Sequence, residues 1–153
     1  PLPAEYWGVW RFHLDPVDQG LRVKVHAPAF DDSGWPEIRV PAWYSETEIG
    51  AYNGVAWYRM HFRVPDAWRG RDLRILFAAV DKEGWVYLNG QLLREHTAES
   101  EGRSVNDIYD SPFFADAPAG VVRFGEDNVL TVRVRNAFAG GGISRPVFIH
   151  APR

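Results

Sequence analysis

Between Ala56 and Val64 the chain alternates without a break: Ala56, Tyr58, Met60, Phe62 and Val64 are apolar, while Trp57, Arg59, His61 and Arg63 fall between them. A period of two belongs to a β-strand, whose successive side chains point to opposite faces, so this stretch predicts a strand with one buried face. Asn53-Gly54 supplies turn residues just before it. Pro65 ends it, because proline cannot donate to a ladder and restricts the residue before it.

The same reasoning places the other elements. YWGVWRFHL at 6–14 reads as a strand broken by Asp15-Pro16 and Gln19-Gly20, and 38–40 as a short strand closed by Pro41. LRILFAAV at 73–80 is nearly continuous in apolar residues, the pattern of a strand covered on both faces. Residues 85–88 and 91–96 flank Asn89-Gly90, the strongest short hairpin signal, since both residues tolerate positive φ. Strands are also predicted at 112–115, 129–135 and 147–150, and an irregular segment at 97–111. No repeat appears, nor any helix longer than a turn or two.

Reversal of direction at each strand sends successive connections to alternate ends of an antiparallel sandwich. The turns near Arg69, at Asn89-Gly90 and near Gly125 then share one pole, and the loops 42–54, 81–84, 97–111 and 136–146 share the other. The first set carries turn chemistry. The second carries Trp43, Tyr44, Tyr52, Tyr109 and Phe138 among polar groups, as expected of a pole that touches something.

Composition supports an all-β reading. Seven Trp, nine Phe and six Tyr favour half-buried pleated surfaces, and eleven Pro with fourteen Gly are scattered as turn signals. A chain of 153 residues has one-domain length, and such a domain buries roughly 70% of its unfolded surface. The expected unit is a single module over 1–153, with PLPAEYW and HAPR reading as linker ends of a larger multidomain protein. A net charge of −3 with interspersed signs gives no footprint for nucleic acid or a membrane surface. No apolar run approaches the roughly 18 residues a spanning helix needs, nor does a signal-peptide pattern open the chain. The absence of Cys excludes disulfides and thiolate metal sites.

Catalytic chemistry is not evident. The histidines at 13, 26, 61, 96 and 150 lack metal-ligand spacing and read as structural. The Gly triplet 140–142 has no following helix and Lys to make a phosphate cradle, so it reads as a loop bend. Asp31-Asp32 and the Asp107/Asp110 pair are the candidate carboxylate pairs for glycoside hydrolysis; their polar-turn context favours solvated turn acids. Asn106, Asp107 and Asp110 also offer the oxygen donors calcium takes. Trp35 and Trp57 read as core rings. Trp43, Tyr44, Tyr52 and Tyr109 divide evenly between capping the core and stacking on a sugar face, with Asp81, Lys82, His96, Asp110, Asn136 and Arg145 available to bond hydroxyls.

Trp10-Arg11-Phe12, FDDSGW at 30–35, IRVP at 38–41 with Trp43, AWYRMHFRVP at 56–65, VYLNG at 86–90, SPF at 111–113, NVLTVRVRN at 128–136 and GGI at 141–143 occur in this order. Together they resemble the N-terminal sugar-binding domain of glycoside hydrolase family 2. The resemblance implies an antiparallel jelly-roll β-sandwich, galactose-binding-domain-like, beside a barrel that holds the catalytic acids. In family galactosidases an Asn before the loop Trp, and an Asp after the VRV strand, reach the substrate. Here Ala42 precedes Trp43 and Ala139 is the nearest counterpart of the Asp, with Asn136 the nearby substitute.

Three functions follow as expectations. The first is a non-catalytic module of a secreted or periplasmic polysaccharide-degrading protein, binding an oligo- or polysaccharide through the aromatic pole without a cofactor. The second is a structural domain that packs on a neighbouring catalytic barrel, predicting an apolar patch on one sheet face. The third is a protein-binding adhesion module.

Overall fold

The computed structural model describes residues 8–152. Among these residues nine strands form two antiparallel sheets. They are β1 (Val9–Asp15), β2 (Glu37–Arg39), β3 (Gly54–Arg63), β4 (Leu73–Phe77), β5 (Glu83–Leu88), β6 (Gln91–His96), β7 (Phe113–Ala117), β8 (Asp127–Asn136) and β9 (Val147–His150). One sheet runs β2-β1-β3-β8-β5-β6 and the other β7-β4-β9. Between them lies the main core. Tyr58, Met60 and Phe62 of β3, with Leu130, Val132 and Val134 of β8, meet Leu73, Ile75 and Phe77 of β4 and Val147 and Ile149 of β9. The all-β sandwich expected from alternation is therefore the fold.

The hairpin at Asn89-Gly90 forms as expected, with φ of 49° and 87° and Leu88 paired with Gln91. Asn89 also fastens the pole it occupies: its amide donates to Val121 O and Asn128 Oδ1, and its Oδ1 accepts the Val129 N–H. Gly125 N–H reaches Val64 O nearby, and Arg69 reaches Phe124 O. These three reversals meet at one end.

Four expectations are corrected. The strand predicted at 6–14 runs Val9–Asp15, and Tyr6 and Trp7 lie outside the described residues. β4 stops at Phe77; its outward residues Arg74 and Leu76 are only half-buried, so apolar continuity through Val80 reflects a buried turn rather than a strand covered on both faces. Segment 97–111 contains two one-turn helices, α1 (Ala98–Glu101) and α2 (Val105–Ile108). Thr97 starts α1 through a reciprocal hydrogen-bonded box with Ser100, and Gly102 ends it at φ 63°.

The fourth correction concerns β3, which is buried on both faces from Val55 to Met60. Segment 16–36 crosses the outer face of the large sheet and makes a second core from Val25, Trp35, Val55, Trp57 and Tyr87. Arg59, fully buried, pins it: its guanidinium donates to Asp32 at 2.7 Å, to the Val25, Ala27 and Phe30 carbonyls, and to Thr131 Oγ1 of β8. Asp32 is thus a buried ion-pair partner and not the solvated turn acid expected. A loop's own polar backbone needs such a partner once water is excluded.

His61 adds a second clamp. Its Nε2 lies 2.9 Å from Asp32 Oδ2 and its Nδ1 2.8 Å from Asp127 Oδ2, so only the imidazolium donates to both. Burial acts to lower its pKa, but the hydrogen bonds and charges of Asp127 and Asp32 outweigh burial and raise it above 6.5. For Asp32 burial acts upward, and the Arg59 and His61 contacts outweigh it, leaving the carboxyl below 3.8. A raised His pKa stabilises fully below the unfolded value and is lost as pH climbs through the folded one; a depressed Asp pKa is lost as pH falls through the folded value. The margin by which the unaltered chain melts above His61→Gln should therefore be full below about pH 6 and shrink by about 2–4 °C at higher pH, the size fitting a half-exposed clamp; the comparison cancels the opposite contribution of His26, whose pKa burial lowers. A margin that does not change with pH would remove His61 from the clamp.

Candidate functional site

At the pole opposite Asn89-Gly90 the four long connections converge. Trp43 and Ser45, Asp81 and Lys82, Asn106 and Tyr109, and Phe138 to Gly140 line one open cavity of about 450 Å³. The backbone knits these loops together: Ala42 N–H donates to Ile143 O, Tyr44 N–H to Gly141 O at 3.0 Å, and Asp81 and Gly142 exchange two bonds of 2.8 Å. The Asp81-Lys82 peptide bond is cis. The Gly triplet is what lets the last loop thread through. A Cβ on Gly140 would lie 2.5 Å from Asp81 Oδ2 and 2.8 Å from the Trp43 ring, and one on Gly141 would lie 2.5 Å from the Tyr44 ring.

The cavity floor holds a buried ion pair. Asp81 and Lys82 are 3% and 4% exposed, with Lys82 Nζ 3.2 Å from Asp81 Oδ1. That contact is one of charge rather than a well-formed hydrogen bond, since Oδ1 has no hydrogen-bond partner. Asp81 Oδ2 accepts the Gly141 N–H at 3.2 Å. The Lys82 ammonium donates to Asn136 Oδ1 and Phe138 O and sits 3.9 Å from the centre of the Phe138 ring. Around this closed pair stand three rings open to solvent: Trp43 at 37%, Tyr109 at 40% and Phe138 at 46% exposure.

The residues expected at the site divide by depth. Trp43, Asp81, Lys82 and Tyr109 line the cavity, and Phe138 joins them. Asp110 and Arg145 form an exposed two-point ion pair at 2.6 and 3.3 Å next to Tyr109. The rest are corrected to supporting positions. Tyr44 is fully buried, edge-on to Phe12 and Tyr52, and burial raises its pKa well above 10.0. Tyr52 gives its hydroxyl proton to Val55 O at 2.6 Å. His96 is buried and stacked on Phe113 at 4.1 Å, its nitrogens facing Glu101 and Ile108 O. Asn136, 1% exposed, donates to Tyr52 O and Ala139 O and accepts from Lys82, so its polar atoms are turned inward.

Of the calcium candidates, Asn106 and Asp107 are exposed; Asp107 Oδ2 accepts from Ser104 Oγ at 2.9 Å, and Asp110 is held by Arg145. No group of three or more His, Cys, Asp or Glu among the described residues could hold a metal ion. Ser45 and Gly140 also line the cavity, although neither is among the contact residues expected from sequence, where Gly140 reads only as part of a loop bend. Their only signal is position: one follows the Trp43-Tyr44 ring pair by a residue, and the other is a glycine where a ring must lie close.

Chemically, the pole offers flat apolar faces and neutral hydrogen-bonding groups around a small opening, the combination that holds a ring with an apolar face and polar edges. The chain belongs to the sugar-binding domains of glycosyl hydrolases family 2, whose model matches residues 6–147. It is 29% identical to a β-glucuronidase of Paenibacillus borealis over 84% of this chain and 20% of that protein. To a β-glucuronidase of Formosa agariphila it is 26% identical, over 79% of this chain and 14% of that one. The chain thus spans no more than a fifth of these relatives. In three dimensions it is similar to a Ruminococcus gnavus β-glucuronidase, with a TM-score of 0.78 at 21% identity over 100% of this chain and 30% of that one. This last likeness shows the shared fold.

Proposed function

We propose that this chain is a non-catalytic sugar-binding domain that contacts glycan through the pole of Trp43, Tyr109 and Phe138, beside a catalytic domain of a larger family 2 hydrolase. The observation that carries the reading is the convergence of four sequence-distant loops on one cavity rimmed by three exposed rings. Hydrolysis is assigned to the neighbouring domain, because the one carboxylate lining the cavity, Asp81, is buried against Lys82, and Asp110 beside Tyr109 is held by Arg145. In keeping with polysaccharide breakdown, the parent protein is assigned to a secreted or periplasmic setting. Binding should be weak, with dissociation constants from micromolar to millimolar, about −8 to −4 kcal/mol.

Calorimetric and fluorescence titration of the chain with neutral and uronic oligosaccharides tests this, the uronides being included because matched relatives are β-glucuronidases. Trp43→Ala should weaken the best ligand about tenfold, the loss of one stacked ring. No response to any glycan would discard the reading.

A second reading, docking on a catalytic barrel without sugar contact, is favoured by one feature. Phe114 of β7, Leu76 of β4 and Phe148 of β9 are register partners on the outer face of the small sheet, and both phenylalanines are more than 40% exposed. Loss of domain association in a Phe114→Ser, Phe148→Ser double variant, with glycan titration unaffected, would assign this face to docking and leave the pole to sugar.

A further inference from the structure

We infer that the cavity at the aromatic pole takes an uncharged sugar residue and disfavours a uronate, an inference that rests on the glycan reading above. The charged side chains lining the cavity are Asp81 and Lys82, and they are closed on each other. Lys82 is the cation a sugar carboxylate would need. Its ammonium donates to Asn136 Oδ1 and Phe138 O, and its charge is met by Asp81 Oδ1 at 3.2 Å. Its remaining approach is covered by the Phe138 ring. At 4% exposure it cannot turn outward without abandoning all of these.

Neither of the other cations on these loops lines the cavity: Arg145 is engaged by both oxygens of Asp110, and Arg103 donates to Asp107 O and Ser111 Oγ. Acids are better represented: Glu46 stands beside Trp43, accepting its N–H at 3.3 Å, and adds its charge to those of Asp81 and Asp110. The four connections of this pole together carry eight Asp and Glu side chains against three cations, Lys82, Arg103 and Arg145, so an arriving carboxylate meets a pole whose balance is already negative. A buried charge pair that satisfies itself offers nothing to a third charge, and like charges brought together are penalised.

What remains reachable is neutral. Ser45 and Asn106 side chains, and the Tyr109 hydroxyl, line the cavity and make no hydrogen bond with other described residues. Hydroxyl-bearing edges suit these donors and acceptors, and the apolar face of a neutral pyranose suits Trp43, Tyr109 and Phe138.

The test is a matched pair differing only at C6, beginning with methyl β-glucoside and methyl β-glucuronide. The best neutral glycoside of the panel and its C6-carboxylate counterpart follow, titrated into the chain at low salt by NMR. The neutral member should bind at least about fivefold more tightly, the scale of an exposed charge repulsion. Asp81→Asn keeps the shape and the Gly141 contact but releases Lys82 from its counter-charge, and should bring the two ligands near parity. Equal or tighter uronide binding by the unaltered chain overturns this inference and leaves the glycan pole standing; binding of neither overturns both. Should Asp81→Asn lose its folded circular-dichroism signal, the unaltered chain's pair of constants decides the question alone.

Discussion

Arg59→Ala should destabilise the domain by about 3–5 kcal/mol in chemical denaturation, the range for breaking a buried ion pair by removing one partner. The reason lies in what the guanidinium holds: Asp32, three backbone carbonyls of the covering segment, and Thr131 across the sheet. Asp32 would be left with only His61 as a counter-charge. Segment 16–36 would then have little to keep it on Trp57 and Tyr87, and the unfolding transition should broaden as the cover opens separately from the sandwich. A change below about 1 kcal/mol would mean that the second core holds the segment without Arg59.

Gly141→Ala should destabilise by about 2–5 kcal/mol, combining a residue forced into positive φ with overpacking. Gly141 has φ 86°, and a Cβ there would lie 2.5 Å from the Tyr44 ring and 2.7 Å from the Asn136 amide. Both neighbours are buried, so neither can swing aside. Because the same loop carries Phe138 and closes the cavity, any folded variant should also lose glycan affinity. Melting temperature and titration together check this; a variant with unaltered values of both would show that the loop yields freely.

Strand periodicity carried well from sequence to structure where one face meets the core and the other does not. β6 and β9 occupy their expected residues, β8 extends the expected span at both ends, and the Asn89-Gly90 turn joins its hairpin as read. Counting reversals placed the loops at the correct poles because antiparallel topology leaves little freedom. Segment 16–36 was illegible for a physical reason: it has no period, and it is fixed by carbonyl groups, which every residue carries, meeting one arginine. Arg59 looked like a solvent-facing strand residue because alternation reports the main core and says nothing of a second cover.

Depth within the pole was equally hidden. Trp43 and Tyr44 are adjacent rings in one loop, yet Trp43 opens to solvent while Tyr44 begins a single 3-10 turn and points into the core. Residue type cannot separate them; the turn geometry does. Asn136 and His96 likewise carry polar atoms that a sequence reading assigns to a ligand, and the fold spends them on loop carbonyls and on Glu101.

Amide and indole chemical-shift mapping during titration with a neutral oligosaccharide examines the contact pole itself. Shifts should gather at residues 43–45, 81–82, 106–109 and 138–140, with the Trp43 indole among the largest. Shifts centred on Arg69, Asn89 and Gly125, at the far end of the sandwich, would contradict the account.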